Sequence, residues 1–245
     1  MPPTAGTVGV AGVVYDADYF NRVDPRALDA IVERTTEQVT TLARQLPGPA
    51  YQALKGTLIR GVAVGDNPRK AAVEMVRRVR GAFDMPLYRA LVITRTEMLD
   101  AHRASAYGQD QANGDVLAGW QWAARLDNRT CASCWAQHGR VHDVTDPGPH
   151  DHQQGRCARV PVTRSWADLG FPNVEEPPSL LPDARTVFDG LHRSDQAAIL
   201  GTRRLALLNQ GSIGWDDLST LRTTPGWRDS WAPTPMRDLL KVANR

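Results

Sequence analysis

A cluster of metal-ligating residue types lies between Cys131 and Cys157. This segment holds all three cysteines of the chain and four of its six histidines, with the spacing Cys131-x2-Cys134-x17-His152-x4-Cys157. Two thiolates separated by two residues can bind one ion from a tight turn, and a second pair returned across a hairpin completes the tetrahedron of a closed zinc site. The pattern therefore predicts a Cys3His zinc site formed by Cys131, Cys134, His152 and Cys157.

The predicted zinc site is structural and not catalytic. Four protein ligands leave no coordination position for water, whereas Lewis-acid and zinc-hydroxide chemistry require one. A closed site contributes folding free energy instead, about 10–16 kcal/mol of apparent zinc binding in small zinc modules. Two alternatives stay open: the cysteines are small buried residues without a metal, or another histidine of the segment replaces His152 as ligand (His138, His142 or His150).

The step His150-Asp151-His152 supports a different hypothesis, a metal-dependent nuclease. It resembles the Asp-His step of HNH nucleases, in which a histidine activates water beside a divalent metal. Those enzymes also need a following helix that carries Asn and a further metal ligand. Here the next Asn after His152 is Asn173, in a Pro-rich stretch, and the next His is His192. The pattern therefore favours the structural site over the nuclease.

The first half of the sequence has helical periodicity, so we expect helices to position this segment. Apolar residues recur at three- and four-residue intervals over residues 25–46, after Asp24 as a typical N-cap and before Pro47 as a stop signal. Three further helices are predicted over residues 50–65, 66–83 and 86–113.

Beyond residue 113 the pattern changes from helix to strand. Trp120, Trp122 and Ala124 alternate on one face of a predicted strand, and residues 157–162 (CARVPV) are predicted to return beside it. We expect Trp122 to lie in the core under this hairpin. A stretch with four prolines in thirteen residues follows, and short helices are predicted from about residue 184 onwards.

The fold class predicted from these elements is α+β, mainly α. A helical N-terminal region is expected over residues 1–85, a core with the Cys/His cluster over 86–166, a Pro-rich linker over 167–183 and a helical C-terminal tail over 184–245. In this arrangement zinc closes a small β-hairpin module.

The composition argues against several classes of function. Basic residues number 29 and acidic residues 27, so the chain has no general attraction for nucleic acid, although basic side chains are in slight excess between Arg60 and Arg103. The N-terminal segment lacks the pattern of a signal peptide, and no stretch reaches the roughly 18 apolar residues of a membrane helix. An odd number of cysteines argues against a disulfide framework. We expect a protein made in a cytoplasm, without a membrane partner.

Three motifs occur in a fixed order around the cysteine pair. They are an Arg-Thr-Glu step in the fourth predicted helix, a Trp-x4-Asp-x-Arg-Thr step before the cysteines, and a His-x3-Arg-Cys segment closed by a strand. The residues concerned are Arg95, Thr96, Glu97, Trp122, Asp127, Arg129, Thr130 and Arg156, besides the four predicted zinc ligands. This order resembles the phage head morphogenesis family, the minor head proteins similar to the F protein of phage Mu. The resemblance covers about residues 50–165, and residues 187–218 are similar to a C-terminal segment often attached to that domain.

The resemblance implies a non-enzymatic minor capsid protein of a tailed phage, present in a few copies inside the head near the portal. Its expected partners are the portal, capsid and scaffold proteins, with weak contact to packaged double-stranded DNA, and its expected location is the virion after assembly in the host cytoplasm. Gly155 stands where the family usually has another cysteine, which leaves one Cys3His set without a spare ligand. An independent nucleic-acid-binding zinc module, using the basic helices over residues 60–103, remains a rival to this function.

The physical role of the Arg-Thr-Glu step is a separate hypothesis. Glu97 shares a helical face with Met98 and Ala101, which we expect to be packed, and a buried carboxylate is costly unless it is paired. We expect its partner to be Arg129 or Arg156, which would hold the long helix against the zinc hairpin. The alternative is an ordinary exposed helix glutamate.

Overall fold

The structure is a computed structural model that describes residues 8–10, 13–15, 48–79, 87–224 and 227–244. The helix predicted over residues 25–46 lies outside the described residues. The described elements are β1 (Val8–Val10), β2 (Val13–Tyr15), α1 (Gly48–Ala63), α2 (Pro68–Val79), α3 (Leu87–Ala112), β3 (Leu117–Ala123), α4 (Ala132–Gln137), β4 (Val141–His142), β5 (Ala158–Thr163), α5 (Ala184–Asp189), α6 (Arg193–Leu200), α7 (Thr202–Asn209), a 3-10 turn (Asp216–Leu218), β6 (Ser219–Thr224), β7 (Trp227–Pro233) and α8 (Met236–Ala243).

The first large unit is a layer of three helices, α1, α2 and α3, at the places that the helical periodicity predicts. Just before α2, the side-chain oxygen of Asn67 accepts the backbone N–H of Arg69 at 2.8 Å, as a capping side chain does. Gly61 allows α1 to approach α3, because a Cβ there would lie 3.3 Å from the terminal methyl of Met98. The apolar faces meet in one core cluster of Leu58, Val62, Ala71, Ala72, Met75, Val79, Ala90, Ile93, Met98 and Ala101.

The centre of the chain is a three-stranded antiparallel sheet in the order β4-β3-β5. The alternation predicted for β3 is confirmed, because Trp120, Trp122 and Ala124 are all buried and form a cluster with Cys134 and Cys157. The predicted returning strand is also present as β5, which pairs with β3 from Ala123↔Ala158 to Leu117↔Thr163. The cysteine pair therefore lies directly against the tryptophan face of the sheet.

A short helix, α4, separates β3 from β4, so the module is not the simple hairpin that the sequence predicted. The thiol of Cys131 is its N-cap and accepts the backbone N–H of Cys134 at 3.5 Å. A helix of six residues is too short for helical periodicity to be read from sequence. All six of its residues are buried, which indicates that tertiary packing holds it.

The C-terminal part contains the short helices α6 and α7, which were predicted, and also the short helix α5 and a β-hairpin formed by β6 and β7, which were not. The prediction of a helical C-terminal tail is therefore wrong for β6 and β7. The hairpin is antiparallel, with a register that runs from Ser219↔Pro233 to Thr224↔Trp227. With its helices and small antiparallel sheets, the described chain is an α+β protein, as predicted.

The C-terminal part packs on α4. Trp135 is fully buried and meets the ring of Phe188 edge-on, with 5.7 Å between ring centroids. The hydroxyl of Ser219 bonds the Ser133 hydroxyl at 2.7 Å and accepts the Gln137 amide at 2.9 Å. The cysteine helix thus packs on the tryptophan sheet through Cys134 and on the C-terminal part through Ala132, Trp135 and Ala136. Among the described helices, we find none with the length and apolar character to cross a membrane.

Candidate metal centre

Cys131 and Cys134 are brought together by the start of α4. Cys131 has extended backbone angles (φ −72°, ψ 160°) as the N-cap residue, and Cys134 lies in the first turn of the helix. This turn directs both thiols to one side, against the loop between β4 and β5. Cys131 is half-buried and Cys134 is buried.

That loop brings His152 to the two thiols. Its Nε2 lies 3.3 Å from Sγ of Cys131 and 3.6 Å from Sγ of Cys134. Its Nδ1 lies 2.9 Å from the carbonyl of Gln153, and since a carbonyl only accepts, Nδ1 carries the proton and donates. Nε2 therefore faces the thiols, and on loss of its proton it would bind a metal while the other nitrogen donates outward.

The four predicted ligands line one small cavity of about 60 Å³. Its other lining residues are Arg125, Arg129, Thr130, Gln154, Gly155 and Arg156. In a tetrahedral site with zinc–sulfur bonds of 2.3 Å and zinc–nitrogen bonds of 2.0–2.1 Å, neighbouring donors lie about 3.3–3.8 Å apart. The two sulfur–nitrogen separations, 3.3 and 3.6 Å, fall in that range. The spacing of Cys131, Cys134 and His152 therefore fits a zinc ion, whereas the fourth predicted ligand, Cys157, lies at ligand spacing from Cys134 but is not grouped with Cys131 and His152.

A second group of donors shares Cys134, namely Cys134, Asp151 and Cys157, whose ligand atoms lie within 4.8 Å of one another. Asp151 is completely buried. Its Oδ1 lies 3.4 Å from Sγ of Cys134, and its Oδ2 accepts the backbone N–H of Cys157 at 3.1 Å. We did not predict Asp151 as part of this structural site, because the sequence pattern of ligands carries no signal for a buried carboxylate beside them.

Arg103 of α3 is a further residue that sequence reasoning missed. Its guanidinium donates to Oδ2 of Asp151 at 3.2 Å and to Oδ1 of Asp100 at 2.8 Å. It also donates to the carbonyl of Cys157, from Nε at 2.9 Å and from Nη2 at 2.7 Å, and to the carbonyl of Gly155 at 2.9 Å. One buried side chain thus joins the long helix to the loop that carries two of the predicted ligands.

The protonation equilibria of the cluster are strongly linked. The thiol of Cys134 and then the imidazole of His152 lower the pKa of Cys131 to about 5, while Cys131 itself raises the pKa of His152 to about 9. The neighbouring thiols of Cys131 and Cys157, together with burial, raise the pKa of Cys134. In the metal-free protein, one thiolate–imidazolium pair is therefore favoured over a second thiolate. A divalent cation would supply the positive charge that allows the remaining thiols to ionise.

The carboxylate of Asp151 stays ionised despite its burial. Desolvation opposes ionisation, but the charges of His152 and Arg103 and the N–H of Cys157 outweigh it, so that the pKa of Asp151 is lowered.

The motif before the cysteines forms a polar cluster at the edge of the cavity. Arg156 donates to both oxygens of Asp127, from Nη1 at 2.9 Å and from Nη2 at 2.7 Å, and Nη2 also donates to the hydroxyl of Thr130 at 2.9 Å. The guanidinium of Arg156 holds the pKa of Asp127 well below its usual range. Arg129 contributes its backbone N–H to Asp127 at 3.1 Å, while its side chain is 75% exposed. The structure therefore brings Asp127, Thr130 and Arg156 together.

The Arg-Thr-Glu step contacts the ligand loop through its threonine. The Thr96 hydroxyl accepts the backbone N–H of Gln154 at 3.0 Å, and Gln154 has a positive φ of 60°. Glu97 is buried, as its helical face predicts, and Arg95 is exposed. Of the two partners predicted for Glu97, Arg156 donates hydrogen bonds to both carboxylate oxygens of Asp127. That pairing of Glu97 stays a prediction.

The other three histidines of the segment have different surroundings. The Nδ1 of His138 accepts the backbone N–H of Ala124 at 3.0 Å, and its Nε2 donates to the carbonyl of Pro182 at 3.1 Å. The ring of His142 stacks on Trp120, with 4.3 Å between centroids. His152 lines the cavity, and the other three histidines are not among its lining residues. The geometry therefore favours His152 as the ligand over His138, His142 and His150.

Comparison with known proteins agrees with the motif reading. Residues 52–160 match the sequence model of a family described as Phage Mu protein F like protein. A curated relative, the Mu-like prophage FluMu F protein of Haemophilus influenzae, is 31% identical over 87 residues, which are 36% of this chain and 18% of the relative. The chain thus matches less than a fifth of that relative's length. No solved structure gives a significant match. The matched range contains Cys131, Cys134, His152 and Cys157.

Proposed function

We propose that the protein is a structural component of a tailed-phage head, because residues 52–160 match the sequence model of the Phage Mu protein F like family, as the motifs predicted. We propose a minor component, present in a few copies inside the head near the portal, which acts in head assembly and in DNA packaging or ejection. The family match over the helical layer and the cysteine module is the observation that carries this function.

We propose that the cavity holds a structural zinc ion through Cys131, Cys134, His152 and Cys157. The ion, when bound, supplies a cross-link between the start of α4 and the loop before β5. Four protein donors around about 60 Å³ suit an ion, whereas pockets that hold small-molecule ligands measure about 300–1,000 Å³. This size supports a structural role for the metal centre over a catalytic one.

The partners we propose are the portal, capsid and scaffold proteins of the same particle, and the proposed location is the capsid interior after assembly in the host cytoplasm. The test is quantitative mass spectrometry of purified particles and of empty precursor heads, with this chain counted against portal and major capsid subunits. We expect a few copies per particle, comparable in number with the portal. Absence of the chain from both kinds of particle would overturn the proposal.

A groove between α1 and α2 supports a second role, contact with DNA. It has a volume of about 690 Å³, and its charged lining residues are Arg60, Arg69, Lys70, Arg77, Arg78, Asp66 and Glu74. Asp66 pairs with Lys70, and Glu74 pairs with Arg77 and Arg78. Within the described residues no ion pair involves Arg60 or Arg69. The groove therefore has an excess of positive charge that suits phosphate groups.

The DNA role is tested by duplex binding at several salt concentrations. The double change Arg60→Glu and Arg69→Glu should weaken binding and lower the salt slope by about 2, while Arg193→Glu on α6 should leave both unchanged. Salt-independent binding, or equal effects of the two variants, would count against the groove.

The nuclease alternative is tested by plasmid nicking with magnesium or manganese. Asp151 is buried and its Oδ2 is engaged by Arg103 and Cys157, so we expect no nicking. Nicking that depends on the metal and is lost in His152→Ala would replace the proposed function with the nuclease.

A further inference from the structure

The carboxylate of Asp151 occupies the space that any side chain at position 155 would need. A Cβ built on Gly155 would lie 1.8 Å from Oδ2 and 2.0 Å from Cγ of Asp151, far inside van der Waals contact. Gly155 has no positive φ, so its backbone conformation does not require glycine. The absence of a side chain at 155 is therefore explained by the neighbouring carboxylate.

From this position Asp151 bonds the backbone of two predicted metal ligands. Its Oδ1 accepts the N–H of His152 at 2.8 Å, and its Oδ2 accepts the N–H of Cys157 at 3.1 Å. The two ligands are five residues apart in a loop without regular secondary structure, so no backbone ladder sets their separation. One carboxylate, with two accepting oxygens, sets it instead.

Arg103 fixes the carboxylate and the loop to α3. It bonds Oδ2 of Asp151 at 3.2 Å and the carbonyls of Gly155 and Cys157, and its side chain is only 8% exposed. Buried groups that orient metal ligands from outside the coordination sphere change metal affinity by about 10- to 100-fold when mutated. Asp151 and Arg103 have the placement that such a role requires.

We propose that Asp151 is the positioning residue of this metal centre, anchored to α3 by Arg103 and accommodated by Gly155. It sets the distance of His152 and Cys157 from the cysteine pair of α4 without being a ligand itself. The proposal rests on the metal centre described under Proposed function. It adds that metal affinity depends on a carboxylate outside the Cys3His set.

The test is a titration of the full chain with cobalt(II) and with zinc against a competing chelator, for the wild type, Asp151→Asn and Asp143→Asn. Asparagine has one accepting oxygen in place of two, so either His152 or Cys157 loses its acceptor. We expect Asp151→Asn to raise the dissociation constant by about 10- to 100-fold, with the thiolate bands of the cobalt spectrum retained at saturation. Asp143 lies in the same loop and is exposed, and in the described contacts its carboxylate bonds only Thr145. Asp143→Asn should therefore change the dissociation constant by less than about twofold.

Three other results would each overturn the proposal or the metal centre on which it rests. Equal affinities for the two variants overturn the proposal, and an altered cobalt spectrum in Asp151→Asn would make Asp151 a ligand and overturn it as well. A wild type that binds neither metal would overturn the metal centre itself, which distinguishes that failure from a failure of the positioning role.

Gly155→Ala provides a second variant that keeps the carboxylate but displaces it. We expect Gly155→Ala to weaken metal binding and to reduce the rise in melting temperature on adding zinc. In an Asp151→Ala background, where the space is free, the same substitution should have a smaller effect on both quantities. Gly190→Ala is the matched control, since its Cβ would meet only ordinary contacts at 3.5 Å or more. Equal effects of Gly155→Ala in both backgrounds would overturn the steric link between the two residues.

Discussion

The guanidinium of Arg156 and the carboxylate of Asp127 form a two-bond ion pair across the mouth of the cysteine cavity, with distances of 2.9 and 2.7 Å. Asp127 precedes α4, which carries Cys131 and Cys134, and Arg156 is the neighbour of Cys157 in the sequence. The pair therefore links the two chain segments that supply the predicted ligands. It also gives a physical reason for an aspartate before and an arginine after the pair Cys131 and Cys134.

Replacing Arg156 by lysine should lower both stability and metal affinity. Lysine keeps the charge but cannot make two parallel bonds to one carboxylate. Since the pair is partly exposed, we expect a loss on the order of 1 kcal/mol in the free energy of unfolding, measured by urea titration. Arg129→Lys, which changes an exposed side chain 3.9 Å from Asp127, is the control and should have little effect. Equal losses in the two variants would contradict the role of the pair.

Acid should destabilise the fold through His138. Burial lowers the pKa of His138, and its Nδ1 must remain unprotonated to accept the N–H of Ala124. The unfolded chain therefore binds this proton more readily than the folded one. Stability from His138 is complete above about pH 6.5 and decreases as the pH falls through that value towards the lowered pKa.

The measurement for His138 is the difference in unfolding free energy between the wild type and His138→Gln across about pH 8 to pH 5, in the presence of a chelator. We expect the difference to shrink as the pH falls, because only the wild type binds the proton. His192→Gln, at the exposed start of α6, should give a difference that does not depend on pH in this way. A constant difference for His138→Gln would contradict the mechanism.

Removal of the metal should destabilise the cysteine module. The proposed zinc would cross-link α4 to the loop before β5, so a strong chelator should lower the melting temperature and re-added zinc should restore it. In Cys134→Ser and Cys157→Ser the chelator should cause little further change, because the site is already incomplete. Elemental analysis of the purified chain should give about one zinc per wild-type molecule. A melting temperature that does not respond to chelator, in a chain without bound metal, would contradict the centre.

The C-terminal part should behave as part of the same folding unit as the cysteine helix. Phe188 is 1% exposed and packs on Trp135 and Trp215, so Phe188→Ala should cost about 3–5 kcal/mol in the free energy of unfolding. Leu180→Ala, in the Pro-rich stretch, removes a side chain that is 91% exposed and should leave stability nearly unchanged. Far-UV circular dichroism during urea titration measures both. A small effect of Phe188→Ala would indicate that the C-terminal part does not stabilise α4.

Much of this protein was predictable from local sequence patterns. Helical periodicity located α1, α2 and α3, and the alternation of Trp120, Trp122 and Ala124 located β3, because these patterns depend on near neighbours in the chain. The spacing of the cysteines and His152 predicted which donors line the cavity. The motifs predicted the resemblance to the Phage Mu protein F like family, whose sequence model matches residues 52–160.

Other features depend on contacts between distant residues. Arg103 meets Asp151 across 48 positions and Ser133 meets Ser219 across 86, and no local pattern in the sequence encodes either meeting. The β6–β7 hairpin and the short helix α4 are likewise held by what packs against them. The sequence alone thus determined α1–α3, β3 and the predicted ligand set, because spacing and periodicity are local properties. Only the tertiary structure decided what surrounds those ligands, because burial and charge pairing arise when distant segments meet.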